Sequence, residues 1–151
     1  FRRLGANPQI LAFSEVYQAL QTGVVDGCEN TASNYLTQKF HEVQKHITIG
    51  EHAHLQYAVI VNSKFWNGLP ADIRTAVDKA MAEATDYTNT IARQENIDAL
   101  EEIKKSGKST IHVLTADQRK VWRETMAPTW IWAEGRVGKE VLELLKKVTA
   151  V

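Results

Sequence analysis

Glu15-Val16-Tyr17-Gln18-Ala19-Leu20-Gln21-Thr22-Gly23-Val24-Val25-Asp26-Gly27-Cys28-Glu29-Asn30 is the stretch on which the reading of this chain turns. Ser14, just before it, is a residue type that caps helices, and Glu15 puts an acid in the first turn, where the helix dipole favours it. Val16, Ala19 and Leu20 recur at helical spacing, and Gly23 stops the run. Val24-Val25-Asp26-Gly27-Cys28-Glu29 then reads as a short buried strand, with Gly27 allowing a close backbone approach. Asn30 follows the strand and precedes a second short helix, predicted over residues 32–40. Helix, strand and helix within so few residues argue for an α/β fold.

Outward from this stretch the same alternation continues. His46-Ile47-Thr48-Ile49 is a β-branched strand candidate, and Gln56-Tyr57-Ala58-Val59-Ile60-Val61 is a stronger one. A helical turn over residues 63–67 ends at Gly68, and Pro70 suits the first position of a long helix with Asp72 in its first turn. Ile73, Val77, Ala80, Ala84, Tyr87 and Ile91 share one face of that helix, whereas Ile97, Leu100 and Ile103 fall on the opposite side. The helix therefore either bends near Gln94 or packs against two different bodies along its length. Ser106-Gly107 ends it. Thr110-Ile111-His112-Val113 is a further strand, and Thr115 with Gln118 forms a capping box for another helix, which Pro128 ends or kinks. Trp130 and Trp132 follow, and residues 137–148 form a last amphipathic helix with Val141, Leu144, Leu145 and Val148 on its apolar face.

Bulk properties narrow the class. Eighteen Lys and Arg balance eighteen Asp and Glu, which argues against a nucleic-acid footprint. The four Trp are not interleaved with basic runs, so a base-stacking platform is not expected. With 151 residues, 44% of them hydrophobic, the chain can fold without disulfides or metals, and the single Cys28 cannot form an internal disulfide. No stretch approaches the roughly 20 apolar residues of a membrane span. The sequence opens at Phe1 and not at Met, so the lack of a signal peptide carries little weight.

The chemistry-bearing residues each have a plain alternative. Cys28 beside His52 would need a base in reach and a lowered pKa to act as a nucleophile; a free cysteine packed as a small hydrophobe is the simpler reading. His52 and His54 share a face if extended, but no cysteine or paired carboxylate completes a zinc spacing. Glu15 and Glu29 read as a helix-start acid and a strand-end acid more readily than as an acid/base pair. No Gly-rich phosphate loop is present, and no cofactor or metal is expected. Asn30 sits where α/β proteins place ligand contacts, but it also suits a helix cap. Phe13 is either a core or staple residue or the apolar wall of a pocket.

The quoted stretch, with Leu4-Gly5-Ala6-Asn7-Pro8 before it, resembles the substrate-binding proteins of tripartite ATP-independent periplasmic (TRAP) transporters, in particular their C4-dicarboxylate branch. The similarity continues through Gln38-Lys39-Phe40-His41-Glu42-Val43-Gln44-Lys45-His46, Tyr57-Ala58-Val59-Ile60-Val61-Asn62, Phe65-Trp66 and Gly68-Leu69-Pro70-Ala71-Asp72, and weakens after about Glu101. It implies a periplasmic, non-catalytic protein of two lobes, joined by a long helix that runs across both, closing on a small organic acid for delivery to a membrane permease. Residues 1–151 would be one partial unit, mainly the second lobe with a short-stranded mixed sheet and C-terminal helices, with the first lobe and signal peptide absent. The resemblance makes Phe13 the aromatic that flanks the ligand and Asn30 the asparagine that hydrogen-bonds its carboxylate, and it sets His52 and Tyr57 in the cleft. Thr31 stands where many relatives have proline, and His54 where the dicarboxylate branch often has tyrosine, which leaves the exact acid open. The family's signature arginine falls upstream of Phe1 by its spacing. Self-association, or capture of the missing segment as a second chain, is expected from surfaces so uncovered. The alternatives are a stand-alone interaction module that never closes on a ligand and, further off, a hydrolase using Cys28.

Overall fold

In the computed structural model, which describes residues 1–149, the protein is helix-rich with one small sheet. The elements in chain order are α1 (Val16–Thr22), α2 (Ala32–Thr37), β1 (His46–Ile49), α3 (Ser63–Gly68), α4 (Ala71–Ser106), β2 (Thr110–Val113), α5 (Ala116–Met126), α6 (Pro128–Val137) and α7 (Lys139–Thr149). Strands β1 and β2 pair with each other. Internal contacts divide the chain into two units. The larger comprises Leu11–Ile47 and Glu51–Ile111; the smaller holds Phe1–Ile10, Thr48–Gly50 and the chain from His112 onward.

The larger unit is organised around Leu20, Tyr35, Phe40 and Ile103, joined by half-buried Val16, Val25, Cys28 and Ile47. Phe40 is only 1% exposed, and the Tyr35 ring meets it edge-on at 5.6 Å between centroids. Helix α2 lies on α4, fixed there by a polar clamp: the backbone N–H of Ser33 donates to Asn96 Oδ1 at 3.1 Å. The loop after α4 is tied down as well. Ser109 Oγ donates to the carbonyls of His41 and Gln44, and Lys108 Nζ donates to Glu42 at 2.9 Å. Lys39, between α2 and a 3-10 turn at Phe40–Glu42, adopts φ 58, a left-handed conformation uncommon outside glycine.

Most stop and start signals act as their chemistry dictates. Gly23 and Gly107 close α1 and α4 in the left-handed conformation; Pro70, expected at the first helical position, is instead the cap residue before it, with φ −54 and ψ 147, and α4 begins at Ala71 with Asp72 in its first turn. In the smaller unit the Thr115–Gln118 capping box is fully made, at 2.9 and 3.2 Å. Pro128 separates α5 from α6, occupying the first helical position where its missing N–H costs nothing. Arg136 lies over the Trp132 ring at 4.5 Å, and Leu142 of α7 is buried. The last helix begins at Lys139, after Gly138, and the side chain of Val148 lies outside the described residues.

Four further expectations are corrected. Ser14 does not cap a helix: it sits inside a 3-10 turn at Phe13–Glu15, and Glu15 holds the cap position of α1 without a side-chain bond. The second helix ends at Thr37, and its cap is Thr31, whose Oγ1 accepts from the Asn34 backbone N–H. Val24 to Glu29 is not a buried strand. The N–H groups of Val24 and Val25 turn back to the Ala19 carbonyl to finish α1, Val24 is 71% exposed, and a Cβ on Gly27 would make only an ordinary contact at 3.6 Å. Gln56 to Val61 is not a strand either; it is exposed and without regular secondary structure, because a ladder needs a neighbouring strand and none of the described residues supplies one.

Helix α4 settles its own phase break. It runs unbroken for 36 residues, about 54 Å at 1.5 Å per residue. Only part of the second apolar face is covered here: Ile103 is buried with Ala99 and Leu100 is half-buried, but Ile97 is exposed, as are Ile73, Val77, Met81 and Tyr87 of the first face.

Candidate functional site

All four residues singled out from the sequence fall in the larger unit, where short contacts tie each of them to neighbours of known placement. Phe13 is 47% exposed, and its ring stands edge-on to Phe40 at 5.9 Å. It is therefore partly packed on the core and partly open, an arrangement that suits an apolar wall. Phe40 in turn meets Tyr35, so the position of Phe13 is referred to α2.

Asn30 is half-buried just ahead of α2. Its Oδ1 accepts from the Thr31 backbone N–H at 2.9 Å and from Asn34 Nδ2 at 2.6 Å. Its Nδ2 has no hydrogen-bond partner among the described residues. Since Thr31 is the residue that caps α2, Asn30 is released from that duty.

Tyr57 and His52 lie on the exposed, irregular stretch between β1 and α3. The Tyr57 hydroxyl accepts from Asn34 Nδ2 at 3.5 Å, the outer limit of a hydrogen bond. His52 Nε2 lies 3.6 Å from Glu29 Oε1, next in the chain to Asn30. Asn34 thus joins two of the sequence-derived residues, and it was not singled out beforehand. The available signal was its spacing of four from Asn30, at the first turn of a helix.

The alternative chemistries gain little. The Cys28 thiol donates to the Tyr35 hydroxyl at 3.3 Å, and that hydroxyl donates to the Cys28 carbonyl at 2.7 Å. Burial pushes the thiol pKa up, with the Glu29 charge adding to it, which disfavours the nucleophilic thiolate. Burial also raises the Tyr35 hydroxyl. Among the described residues no three His, Cys, Asp or Glu side chains are grouped to hold a metal ion, and no helix is long and apolar enough to cross a membrane.

The larger unit thus carries an Asn30 amide whose nitrogen has no partner among the described residues and a Phe13 ring that is partly open, on a helix-rich scaffold. The sequence model described as bacterial extracellular solute-binding protein, family 7 (DctP), matches residues 1–134, and the chain belongs to that family. It is 56% identical over 147 residues to the C4-dicarboxylate-binding periplasmic protein DctP of Rhodobacter capsulatus, which covers 97% of this chain and 44% of the relative. The chain thus spans less than half the length of that relative. Among solved structures it is similar to a TRAP periplasmic solute-binding protein from Shewanella oneidensis with bound succinate, at 40% identity and a TM-score of 0.90, over 94% of this chain and 47% of that one. It is also similar to one from Pseudomonas aeruginosa with bound L-malate, at 38% identity and a TM-score of 0.82, over 86% of this chain and 45% of that one. The fold is that of the TRAP solute-binding proteins.

Proposed function

We propose that this chain belongs to a periplasmic protein that captures a C4-dicarboxylate and delivers it, chemically unchanged, to a TRAP membrane permease. The observation that carries the reading is the Asn30 carboxamide: its oxygen is fully engaged, and its N–H donors have no partner among the described residues. Donors of that kind suit a carboxylate oxygen, and a hydrogen bond to a charged acceptor is worth more than one to a neutral group. Phe13 would flank the carbon chain of the acid, and Tyr57 and His52 would approach from the stretch between β1 and α3. Relatives whose names or bound molecules are C4-dicarboxylates support the choice of acid.

The test is calorimetric titration of the full-length protein with succinate, L-malate and fumarate, beside a monocarboxylate and a sugar as controls. Saturable binding of the dicarboxylates, weakened in Asn30→Ala, is the expected result. Binding that ignores Asn30, or a preference for the controls, would sink the assignment.

A further inference from the structure

We infer that Asn34 is a positioning residue that fixes which end of the Asn30 carboxamide is offered to a ligand; the inference rests on the reading of Asn30 as a ligand contact. A carboxamide has an accepting oxygen and a donating nitrogen of nearly equal size, and only its neighbours decide which way it faces. Here two donors decide it together. The Thr31 backbone N–H can only donate, and it lies 2.9 Å from the Asn30 side chain, so the atom it meets must be the oxygen. The Asn34 amide nitrogen reaches the same oxygen at 2.6 Å and occupies its second lone pair. A flipped Asn30 would set donor against donor at both contacts, leaving polar groups unsatisfied at a half-buried place.

Asn34 is itself well placed to impose this. Its backbone N–H is taken by the Thr31 cap, which seats it in the first turn of α2, and the neighbouring Ser33 N–H is clamped by Asn96 of α4. Orientation therefore passes from α4 through α2 to Asn34, and from Asn34 to the amide of Asn30. What Asn30 presents is donors alone. The site then favours groups that only accept, such as carboxylate oxygens, over ammonium groups.

The experiment is a double-mutant cycle with succinate as the probe, on the full-length protein, using Asn34→Leu, Asn30→Ala and both together, with Asn34→Ala in reserve should the leucine perturb folding. Both replacements keep the backbone N–H that Thr31 caps. Asn34→Leu should weaken succinate binding roughly three- to tenfold, the scale of one neutral hydrogen bond, and the double variant should bind no worse than Asn30→Ala alone. Additive losses, or full affinity in Asn34→Leu while Asn30→Ala is impaired, would overturn the proposal. A second readout needs no ligand: the side-chain amide resonances of 15N-labelled Asn30 should shift in Asn34→Leu, and an unchanged pair would also overturn it. If the parent protein takes up no dicarboxylate, the capture assignment fails, and the amide spectrum alone decides whether Asn34 orients Asn30.

Discussion

Residues 46–49 and residues 56–61 begin from similar sequence signals and end differently. Both are β-branched and apolar, and the second is the longer and stronger strand candidate. Yet the first becomes β1, because β2 lies beside it, while the second stays irregular with Tyr57 at 81% and Ile60 at 90% exposure. A strand is thus a property of a pair. Propensity prepares a segment for a ladder, and only a neighbour completes it. The candidate site straddles this contrast: Phe13 and Asn30 are braced by the core around α2, whereas His52 and Tyr57 ride on the unpaired stretch.

The largest expected effect sets the two sides against each other directly. Phe40→Ala removes a ring that touches Phe13 and Tyr35 and should cost about 3–5 kcal/mol in denaturant unfolding of this chain. Ile60→Ala should stay within about 0.5 kcal/mol, as for an exposed residue without special contacts. A comparable loss at Ile60 would show that the stretch is packed and would break the comparison.

Ligand affinity sharpens it next. Asn30→Ala should weaken dicarboxylate binding by about 1–3 kcal/mol, the range for a hydrogen bond to a charged group. Tyr57→Phe, which removes only a hydroxyl on the unbraced stretch, should cost less. A reversed order by calorimetry would mean that the segment between β1 and α3, and not the residues leading into α2, supplies the main contact.

The packed side also carries a pH signature. Cys28 is raised above its ordinary value of 9.0 mainly by burial, so the folded state holds the protonated thiol more firmly than the unfolded state does. Its contribution to stability is complete below that ordinary value and is lost as pH rises through the higher folded value. Melting temperatures between pH 8 and 11 should fall, and Cys28→Ser should flatten the fall. A Cys28→Ser profile that tracks the parent throughout would assign the alkaline limb to other groups. Alkylation of the native thiol by iodoacetamide at pH 7.5 should likewise be much slower than in urea.

The smallest effect is at the surface. The Lys108 ammonium holds the Glu42 carboxyl below the usual carboxylate range. The stabilisation is present above that range and fades as the carboxyl protonates on acidification. Both groups are solvated, so Lys108→Met should lower the melting temperature slightly at low salt and hardly at all at 0.5 M NaCl. A salt-independent loss would point to packing by the lysine stem instead.

What could be read from the sequence was local. Gly23 and Gly107 as stops, Thr115 with Gln118 as a start and Pro128 as a divider act within one helical turn, and each is found in place. Residues 56–61 needed a partner distant in sequence, about which composition is silent, whereas Val24 and Val25 are drawn back to the Ala19 carbonyl and Ser14 falls inside a 3-10 turn, local outcomes that residue type alone does not decide. The site shows the same limit. Asn30 is open to two readings because either role needs the same residue type; the Thr31 cap removes it from capping α2, and the ligand role is left to the Asn30→Ala titration. Asn34 carried no signal beyond its spacing, since an asparagine in a first helical turn is commonplace.

Helix α4 converts this unevenness into something a solvent can read. Its amides are chemically alike from one end to the other, but only the end bearing Ala99 and Ile103 is anchored by neighbours. Deuterium uptake should therefore run as a gradient along a single element, slow around Asn96–Ser106 and fast over residues 71–90, since opening costs least where few side chains are buried. A body that comes to lie on Ile73, Val77 and Tyr87 would flatten that gradient. The exchange profile of one helix would then report how much of its length is covered in any larger assembly, without a label and without a ligand.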